Sequence, residues 1–224
     1  MGTVAAFAPR RLGRTIMVFA PKGGVGKTTI SAHILVSAAK AGFKALGVDF
    51  DPQHSLKLWT EAREQHPMAP HLPMYDSATA DLGEWLSVWD HVSHYDLTVI
   101  DMPPGIVGQE ASVFSIAGRV DYVLMPTQQG ELDLMHMIPW MGRFRERGIS
   151  AVFVMSKVTA PHFTSFKQAK AKLVQHGVVI PVDLPLREDI IQSGCGIATS
   201  DHAKMRGNAE FEILWNHVRR EIGL

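Results

Sequence analysis

Short apolar runs alternate with longer, mixed stretches along most of this chain. The apolar runs predict buried β-strands at 15–20, 44–50, 96–101, 120–126, 149–156 and 178–181. The stretches between them predict helices at 28–41, 51–64, 137–147, 163–176 and 209–222. Strands that are apolar throughout and separated by helices are typical of a parallel sheet covered on both faces. We therefore predict an α/β fold with a predominantly parallel, twisted sheet and helices on both faces.

Turn-forming residues set the limits of several of these elements. Gly42 is placed to end the first helix, and the pair Asp51-Pro52 favours the start of the second. Residues 65–80 contain three prolines and are expected to form a loop. Residues 1–13 show no period and are expected to form a flexible tail. Because no repeat or linker interrupts the remainder, we expect one domain at 14–224.

The composition is that of an ordinary globular protein and excludes several classes of site. Of the 224 residues, 46% are hydrophobic and 20% are charged, which is too apolar for a disordered chain. Cys195 is the single cysteine, so one chain cannot build a disulfide framework or a cysteine metal cluster. No segment reaches the roughly 18 apolar residues that a membrane span needs. We expect a protein of the reducing cytoplasm.

The charges balance overall but are unevenly distributed. The chain has 22 Lys and Arg against 22 Asp and Glu. Residues 1–139 have 10 basic and 14 acidic side chains, whereas residues 140–224 have 12 and 8. This bias is small and is first explained by an ordinary solvated surface; the alternative is a C-terminal part that faces a polyanion.

The stretch FAPKGGVGKTTIS, residues 19–31, has the chemistry of a phosphate-binding loop. Three glycines, Gly23, Gly24 and Gly26, let the backbone turn so that N–H groups point at phosphate oxygens. The helix that follows adds its positive end. Lys27 is placed to reach the β- and γ-phosphates, and the Thr28 hydroxyl to hold Mg²⁺. The alternative, a tight turn without a ligand, leaves this combination unexplained.

The loop departs from the usual phosphate-loop pattern at two positions. Pro21 stands where the first glycine is expected, and a second lysine, Lys22, follows it. Further along, VDFDPQ (48–53) ends the second predicted strand, and LTVIDMPPG (97–105) carries Asp101 to the end of another. With KGGVGKTT, these blocks resemble the deviant Walker A ATPases of the ParA/MinD family. The resemblance covers about residues 15–128, including VDYVLMPTQ at 120–128.

The resemblance implies an ATPase with ATP and Mg²⁺ as cofactors. It implies that Lys22 reaches the phosphates of the second subunit in a nucleotide-sandwich dimer, and that Asp51 orients the attacking water. Asp51 could also serve as a helix N-cap. The metal would be held by Thr28 and Asp101 with support from Asp49. The expected catalytic residues are Lys22, Lys27 and Asp51, and the expected nucleotide contacts are Lys22, Gly23, Gly24, Val25, Gly26, Lys27, Thr28 and Thr29.

Other parts of the family pattern are weaker here. The loop of Pro103, Pro104 and Gly105 matches the segment that senses the γ-phosphate in the family. Ser156 and Lys157 stand where relatives often have an asparagine, which puts the expected adenine contact in doubt. The segment LPLRED, 184–189, is a candidate lining of the base pocket.

Three functions remain open from the sequence. The preferred one is a ParA-type protein that binds nonspecific duplex DNA as an ATP dimer. It would be nucleoid-associated and would hydrolyse ATP when a ParB-like or cargo adaptor stimulates it. The candidate DNA-binding residues are Arg187, Lys204, Arg206, Arg219 and Arg220.

The first alternative is a MinD-like protein that lies on a membrane surface through its last helix. An apolar stripe on that helix could face lipid, or could pack in the core as such stripes usually do: Phe211, Leu214, Trp215, Val218 and Ile222. The second alternative is a small-molecule ligase of the dethiobiotin synthetase type, which uses a similar loop.

Overall fold

A computed structural model describes residues 13–105, 108–159, 161, 163–188, 190, 196–202 and 204–224. Its seven strands are Arg14–Val18 (β1), Ala45–Asp49 (β2), Asp76–Thr79 (β3), Leu97–Asp101 (β4), Tyr122–Thr127 (β5), Ala151–Val158 (β6) and Val179–Pro185 (β7). The described α-helices are Lys27–Lys40 (α1), Ser55–Glu64 (α2), Leu86–Val92 (α3), Glu110–Ala117 (α4), Glu131–Glu146 (α5), Thr164–His176 (α6) and Asn208–Glu221 (α7). Cys195 and all of the expected tail except Gly13 lie outside the described residues.

The strands form one sheet in the order β3-β2-β4-β1-β5-β6-β7, with every pairing parallel. In this register Val18 lies opposite Asp101, and Asp101 lies opposite Asp49 on the other side. The carboxyl ends of the three central strands therefore meet at one edge. The phosphate-loop candidate follows β1 directly, so the loop and both carboxylates are brought together by the sheet itself.

Helices cover both faces of the sheet, as the sequence predicts. One buried cluster joins the sheet to α1, α2 and α7, and a second joins it to α3, α4, α5 and α6. On α7 the predicted apolar stripe is core packing, since its five side chains are each at most 6% exposed. The MinD-like alternative in which this stripe lies on lipid is therefore not supported by the packing. In the described part of the chain, no helix has the length and apolar character to cross a membrane.

Several predicted elements need correction. The expected loop at 65–80 contains β3. This edge strand is mostly polar and exposed, so it shows no apolar run in the sequence. The short helices α3 and α4 were not predicted. α5 begins at Glu131 rather than at 137, and Pro139 lies inside it. α2 begins at Ser55 rather than at Asp51, because His54 adopts a left-handed conformation with φ of 50° immediately before it.

Candidate nucleotide-binding site

The phosphate-loop candidate has the backbone geometry that its glycines suggest. Gly24 and Gly26 have φ of 74° and 91°, a region that favours glycine. A Cβ at Gly26 would also lie 3.0 Å from the Ser156 hydroxyl, so a larger residue would be crowded there. α1 begins at the next residue, Lys27, and its unpaired N–H groups open into the space above the loop. The loop is built as an anion cradle.

Thr28 and Asp101 lie side by side at the bottom of this cradle. The Thr28 hydroxyl donates to Asp101 Oδ2 at 2.7 Å, and Ser31, one helical turn later, donates to Asp101 Oδ1 at 2.9 Å. Burial raises the pKa of Asp101 to about 7, and the nearby Asp49 adds to the rise, while the two hydroxyls and Lys27 oppose it. A buried carboxylate this costly to ionise is suited to a cation. Ser31 was not predicted, although its spacing from Thr28 places both on one helix face.

Lys27 is buried beneath the loop. Its Nζ donates to the carbonyl oxygen of Lys22 at 3.2 Å. Burial lowers the pKa of Lys27, whereas the charges of Asp101 and Asp51 raise it. A phosphate in the cradle would stabilise the charged ammonium further.

Asp49 and Asp51 have different environments despite their closeness in sequence. Asp49 is fully buried, and its oxygens accept hydrogen bonds from the backbone N–H groups of Asp51, Leu56 and Lys57 at 2.9–3.2 Å. Asp49 therefore caps the N-terminus of α2, a role that was considered for Asp51 from the sequence. Burial raises the pKa of Asp49 and the three N–H groups lower it. Its support of a metal stays a prediction.

Asp51 is only partly buried and lines the cleft above the loop. Its Oδ1 accepts the N–H of Gln53 at 2.9 Å, which fixes the carboxylate on a short turn before α2. The carboxylate is thus held at the cleft wall rather than buried in the helix end. Its role with a water molecule remains a prediction that this position permits.

Lys22 is held by a residue that the sequence did not suggest. Its Nζ lies 2.5 Å from Asp133 Oδ1, in the first turn of α5. The Lys22 side chain is 50% exposed, whereas that of Asp133 is 9% exposed. A Cβ at Gly130 would lie 2.8 Å from Asp133 Oδ2, so the carboxylate packs against a position where only glycine leaves room. The two lysines of the loop therefore point to different places.

A cleft of about 580 Å³ opens above the loop. Asp51, Leu58, Trp59 and Pro104 line it on the side of α2 and the Pro-Pro-Gly loop, whose Gly105 N–H donates to the Pro21 carbonyl oxygen at 3.0 Å. The lining on the other side is Ser156, Lys157, Leu184, Pro185, Leu186, Arg187, Ile190 and Phe211. The segment predicted to line a base pocket thus reaches the cleft through its described residues, while Asp189 lies outside them.

The five candidate DNA-binding residues do not form one group. Arg187 lines the cleft, and its guanidinium lies 4.0 Å from the Glu210 carboxylate. Arg219 and Arg220 lie in the last turn of α7, exposed to solvent. Lys204 and Arg206 are exposed in the segment before α7.

The residues present fit a nucleotide with Mg²⁺. A hydroxyl and a carboxylate 2.7 Å apart, at the start of a helix, supply the hard oxygen ligands that Mg²⁺ prefers alongside phosphate oxygens. Among the described residues, no group of three or more His, Cys, Asp or Glu side chains could hold a metal by itself. An arrangement that needs phosphate oxygens to complete it is typical of Mg²⁺ sites in nucleotide enzymes.

Comparisons with known proteins agree with this geometry. A family model described as the CobQ/CobB/MinD/ParA nucleotide binding domain matches residues 16–198. A curated relative, the maintenance of carboxysome distribution protein A (McdA) of Gloeobacter kilaueensis, is 29% identical over 166 residues, which are 74% of this chain and 73% of that protein.

Two solved structures show the same fold. The MinD cell division protein of Aquifex aeolicus has a TM-score of 0.74 at 16% identity and covers 93% of this chain and 98% of its own. An ATP complex of an McdA variant from Cyanothece has a TM-score of 0.69 at 16% identity and covers 95% of this chain and 97% of its own. Because the family model spans well over half of the sequence, this chain belongs to the ParA/MinD family of nucleotide-binding domains.

Proposed function

We propose that this protein is a ParA-type ATPase that binds MgATP, closes into a nucleotide-sandwich dimer and binds nonspecific DNA in that state. The observation that carries the proposal is the separation of the two lysines. Lys27 is buried under its own loop, whereas Lys22 is half exposed and turned away toward α5. A lysine that its own phosphate site does not use is available for the triphosphate of a second copy.

The residues of one chain account for most of the chemistry. Lys27 and the N–H groups at the start of α1 offset negative charge on the phosphates. Bound Mg²⁺ would neutralise phosphate charge, and Thr28 and Asp101 would hold it. Asp51, fixed by the Gln53 N–H at the cleft wall, orients the attacking water. Pro104 and Gly105 lie against the loop, where they can respond to the terminal phosphate.

Lys22 completes the site of the partner subunit in this proposal. Leaving Asp133 costs about 1 kcal/mol, the upper end for exposed ion pairs, since Lys22 is half in water whereas Asp133 is nearly buried. In the dimer its ammonium would meet developing negative charge on the transferred phosphoryl group, as an arginine finger does. Two chains would then act as one switch, closed with ATP and open after hydrolysis.

The biological role that fits this cycle is the positioning of a cargo on DNA. The relative from Gloeobacter kilaueensis is named for carboxysome distribution, and ParA and MinD are both part of the family description. We therefore place this protein on the nucleoid of the cytoplasm, with an adaptor protein on the cargo that stimulates hydrolysis. The buried stripe of α7 favours DNA over a membrane surface.

The dimer is tested with Lys22→Ala. We expect this variant to bind ATP but to stay monomeric in light scattering, because the charge that bridges the subunits is gone. Lys167→Ala, an exposed lysine on α6, is the control and should dimerise normally. A Lys22→Ala protein that dimerises with ATP as well as the control would show that the lysine serves its own subunit.

The catalytic role of Asp51 is tested separately. Asp51→Ala should retain the ATP dimer and lose phosphate release, because the water is no longer oriented. Normal phosphate release from this variant would remove Asp51 from catalysis while leaving the dimer proposal intact.

A further inference from the structure

Four arginines gather at the edge of the sheet opposite the nucleotide cleft. The parallel strands all end at the cleft, so the helices between them return to the opposite edge, where Arg119 follows α4 and the other three occupy the end of α5. All four are exposed. We call this set the arginine edge: Arg119, Arg143, Arg145 and Arg147.

Aromatic rings fix three of these guanidinium groups in place. The guanidinium carbon of Arg147 lies 4.1 Å from the ring centroid of Phe114, and that of Arg119 lies 4.7 Å from the ring of Trp85. Arg143 lies 5.3 Å from the ring of Trp140. Arg119 and Arg147 each also donate one N–H to the backbone carbonyl oxygen four residues earlier, at 3.4 and 3.0 Å. Stacking reduces the freedom that an arginine loses on binding, while the remaining N–H groups stay available for an anion.

The positive charge of the arginine edge is largely uncompensated. Within the described ranges, the set makes one ion pair, between Arg147 and Glu146 at 4.0 Å. Arginines near a helix C-terminus also complement the helix dipole. That explanation covers the residues at the end of α5 but not the stacking of Arg147 on Phe114 of α4, nor Arg119, which follows α4 and stacks on Trp85 just before α3. Charge gathered from separate helices indicates a binding surface.

Two of the predicted DNA-binding residues lie along the same edge. Arg14 begins β1 there, and a Cβ at Gly223 would lie 3.3 Å from the Arg14 guanidinium. Gly223 directly follows α7, so Arg219 and Arg220 in the last turn of this helix lie near Arg14. The Leu224 N–H donates to the Arg219 carbonyl oxygen at 2.8 Å and holds the chain end against the helix. Asp121 pairs with Arg14 at 2.9 Å and Arg220 lies 3.4 Å from Glu221, so these positive charges are partly offset. The four residues of the arginine edge are the less compensated part.

We propose that the arginine edge binds the phosphate backbone of duplex DNA. Planar guanidinium groups match phosphate oxygens in a two-pronged geometry, and contacts to phosphates alone carry no sequence preference. The rings beneath the arginines are covered by them, which leaves phosphate contacts rather than base stacking. This inference rests on the proposed DNA binding and assigns it a surface that the sequence did not suggest.

The test compares two triple variants that lose the same charge. One carries Arg119→Gln, Arg143→Gln and Arg147→Gln; the control carries Lys167→Gln, Lys170→Gln and Lys172→Gln on α6. Affinity for a random-sequence 40-base-pair duplex is measured by fluorescence anisotropy with ATP, over a series of salt concentrations. ATP binding is measured on both and should be retained, because no residue of either set lines the cleft. Thermal unfolding is measured on both to show that each variant is folded at the assay temperature.

We expect the arginine variant to lose at least tenfold in affinity. Its salt dependence, the slope of log K against log salt, should fall in magnitude by about 2 to 3, since each lost phosphate contact removes about 0.9. The control should keep nearly all of the slope.

Other outcomes overturn the inference and distinguish it from the proposed function. If the arginine variant binds DNA like the control, while Arg219→Gln with Arg220→Gln abolishes binding, DNA binding stands but the surface is wrong. If the unaltered protein with ATP binds no duplex at low salt, the proposed function fails as well. If it binds vesicles of 60% phosphatidylcholine and 40% phosphatidylglycerol through the arginine edge and no DNA, the partner class is wrong.

Discussion

The ion pair between Lys22 and Asp133 predicts that removing the carboxylate will favour the dimer. In the single chain this pair, 2.5 Å long, holds the lysine against α5. If Lys22 must cross to the partner subunit, each chain has to break the pair before the dimer closes. Asp133→Asn removes that cost and leaves Lys22 in water, where its charge is well solvated.

The magnitude follows from the exposure of the two side chains. An exposed ion pair contributes about 0.2–1 kcal/mol, and the near-complete burial of Asp133 places this one toward the upper end. Two pairs are broken per dimer, so the dimer gains up to about 2 kcal/mol. At 1.4 kcal/mol per factor of ten, the ATP dimer should form up to about 30-fold more tightly.

Sedimentation equilibrium with a slowly hydrolysed ATP analogue measures this constant directly. Glu131→Gln is a matched control, because Glu131 lies in the same helical turn and pairs with Lys172 on α6 instead. Asp133→Asn should dimerise more tightly than this control, and the double variant with Lys22→Ala should be as weak as Lys22→Ala alone. A dimer weakened by Asp133→Asn would mean that Asp133 directs Lys22 across the interface rather than restraining it.

Two further predictions concern stability. The folded state favours neutral Asp101, so its stabilising contribution is complete below pH 3.8 and is lost as pH rises through about 7. Urea unfolding without Mg²⁺ measures this effect. Between pH 5 and pH 8, the free energy of unfolding of Asp101→Asn should rise by roughly 2–3 kcal/mol relative to that of the original protein. Buried His33 has the opposite pH dependence, but it is present in both proteins and cancels in the difference. A gap that does not widen would refute the burial argument. Arg63 and Asp201 form an ion pair 2.6 Å long with both side chains at most 1% exposed, so Asp201→Asn should cost about 3–5 kcal/mol in the same assay, and a loss below about 1 kcal/mol would contradict a buried pair.

Apolar patterning predicted the central strands because each of them is buried on both faces. β4 and β5 are fully buried, and their apolar runs are unmistakable in the sequence. β3 lies at the sheet edge with polar, mostly exposed residues, so it has no such run. α5 was predicted too short: it extends from Glu131 through Pro139, although a proline inside a helix removes one backbone hydrogen bond and usually kinks or ends it.

The candidate site divides in the same way between local and distant information. Gly26, Lys27 and Thr28 belong to one contiguous loop, so a local motif is enough to propose them as nucleotide ligands. Asp133 is separated from Lys22 by 111 positions, and only the folded sheet brings α5 beside the loop. The roles of Asp49 and Asp51 also depend on the fold, because the left-handed residue before α2 decides which carboxylate meets the free N–H groups of the helix.

Buried polar contacts link the two walls of the cleft to the loop beneath it. His33 on α1 donates from Nδ1 to the Thr29 carbonyl oxygen at 2.8 Å and accepts the Thr199 N–H at 3.2 Å, and its ring stacks on Phe211 at 3.9 Å. Burial lowers the pKa of His33 to about 4, so this link is neutral at physiological pH.

On the other wall, Arg63 ties α2 to the segment 196–201 through Asp201 and through the Gly196 carbonyl oxygen at 2.8 Å. The cap of α2 is Asp49, which also raises the pKa of Asp101 at the proposed metal site. A cation that binds at Asp101 would favour its charged form. The electrostatic potential would then change at Asp49 and at the N-terminus of α2, which Asp49 caps. α2 also lines the cleft with Leu58 and Trp59, so its cap, its cleft-facing residues and its ion pair to the segment 196–201 all meet on one ten-residue helix.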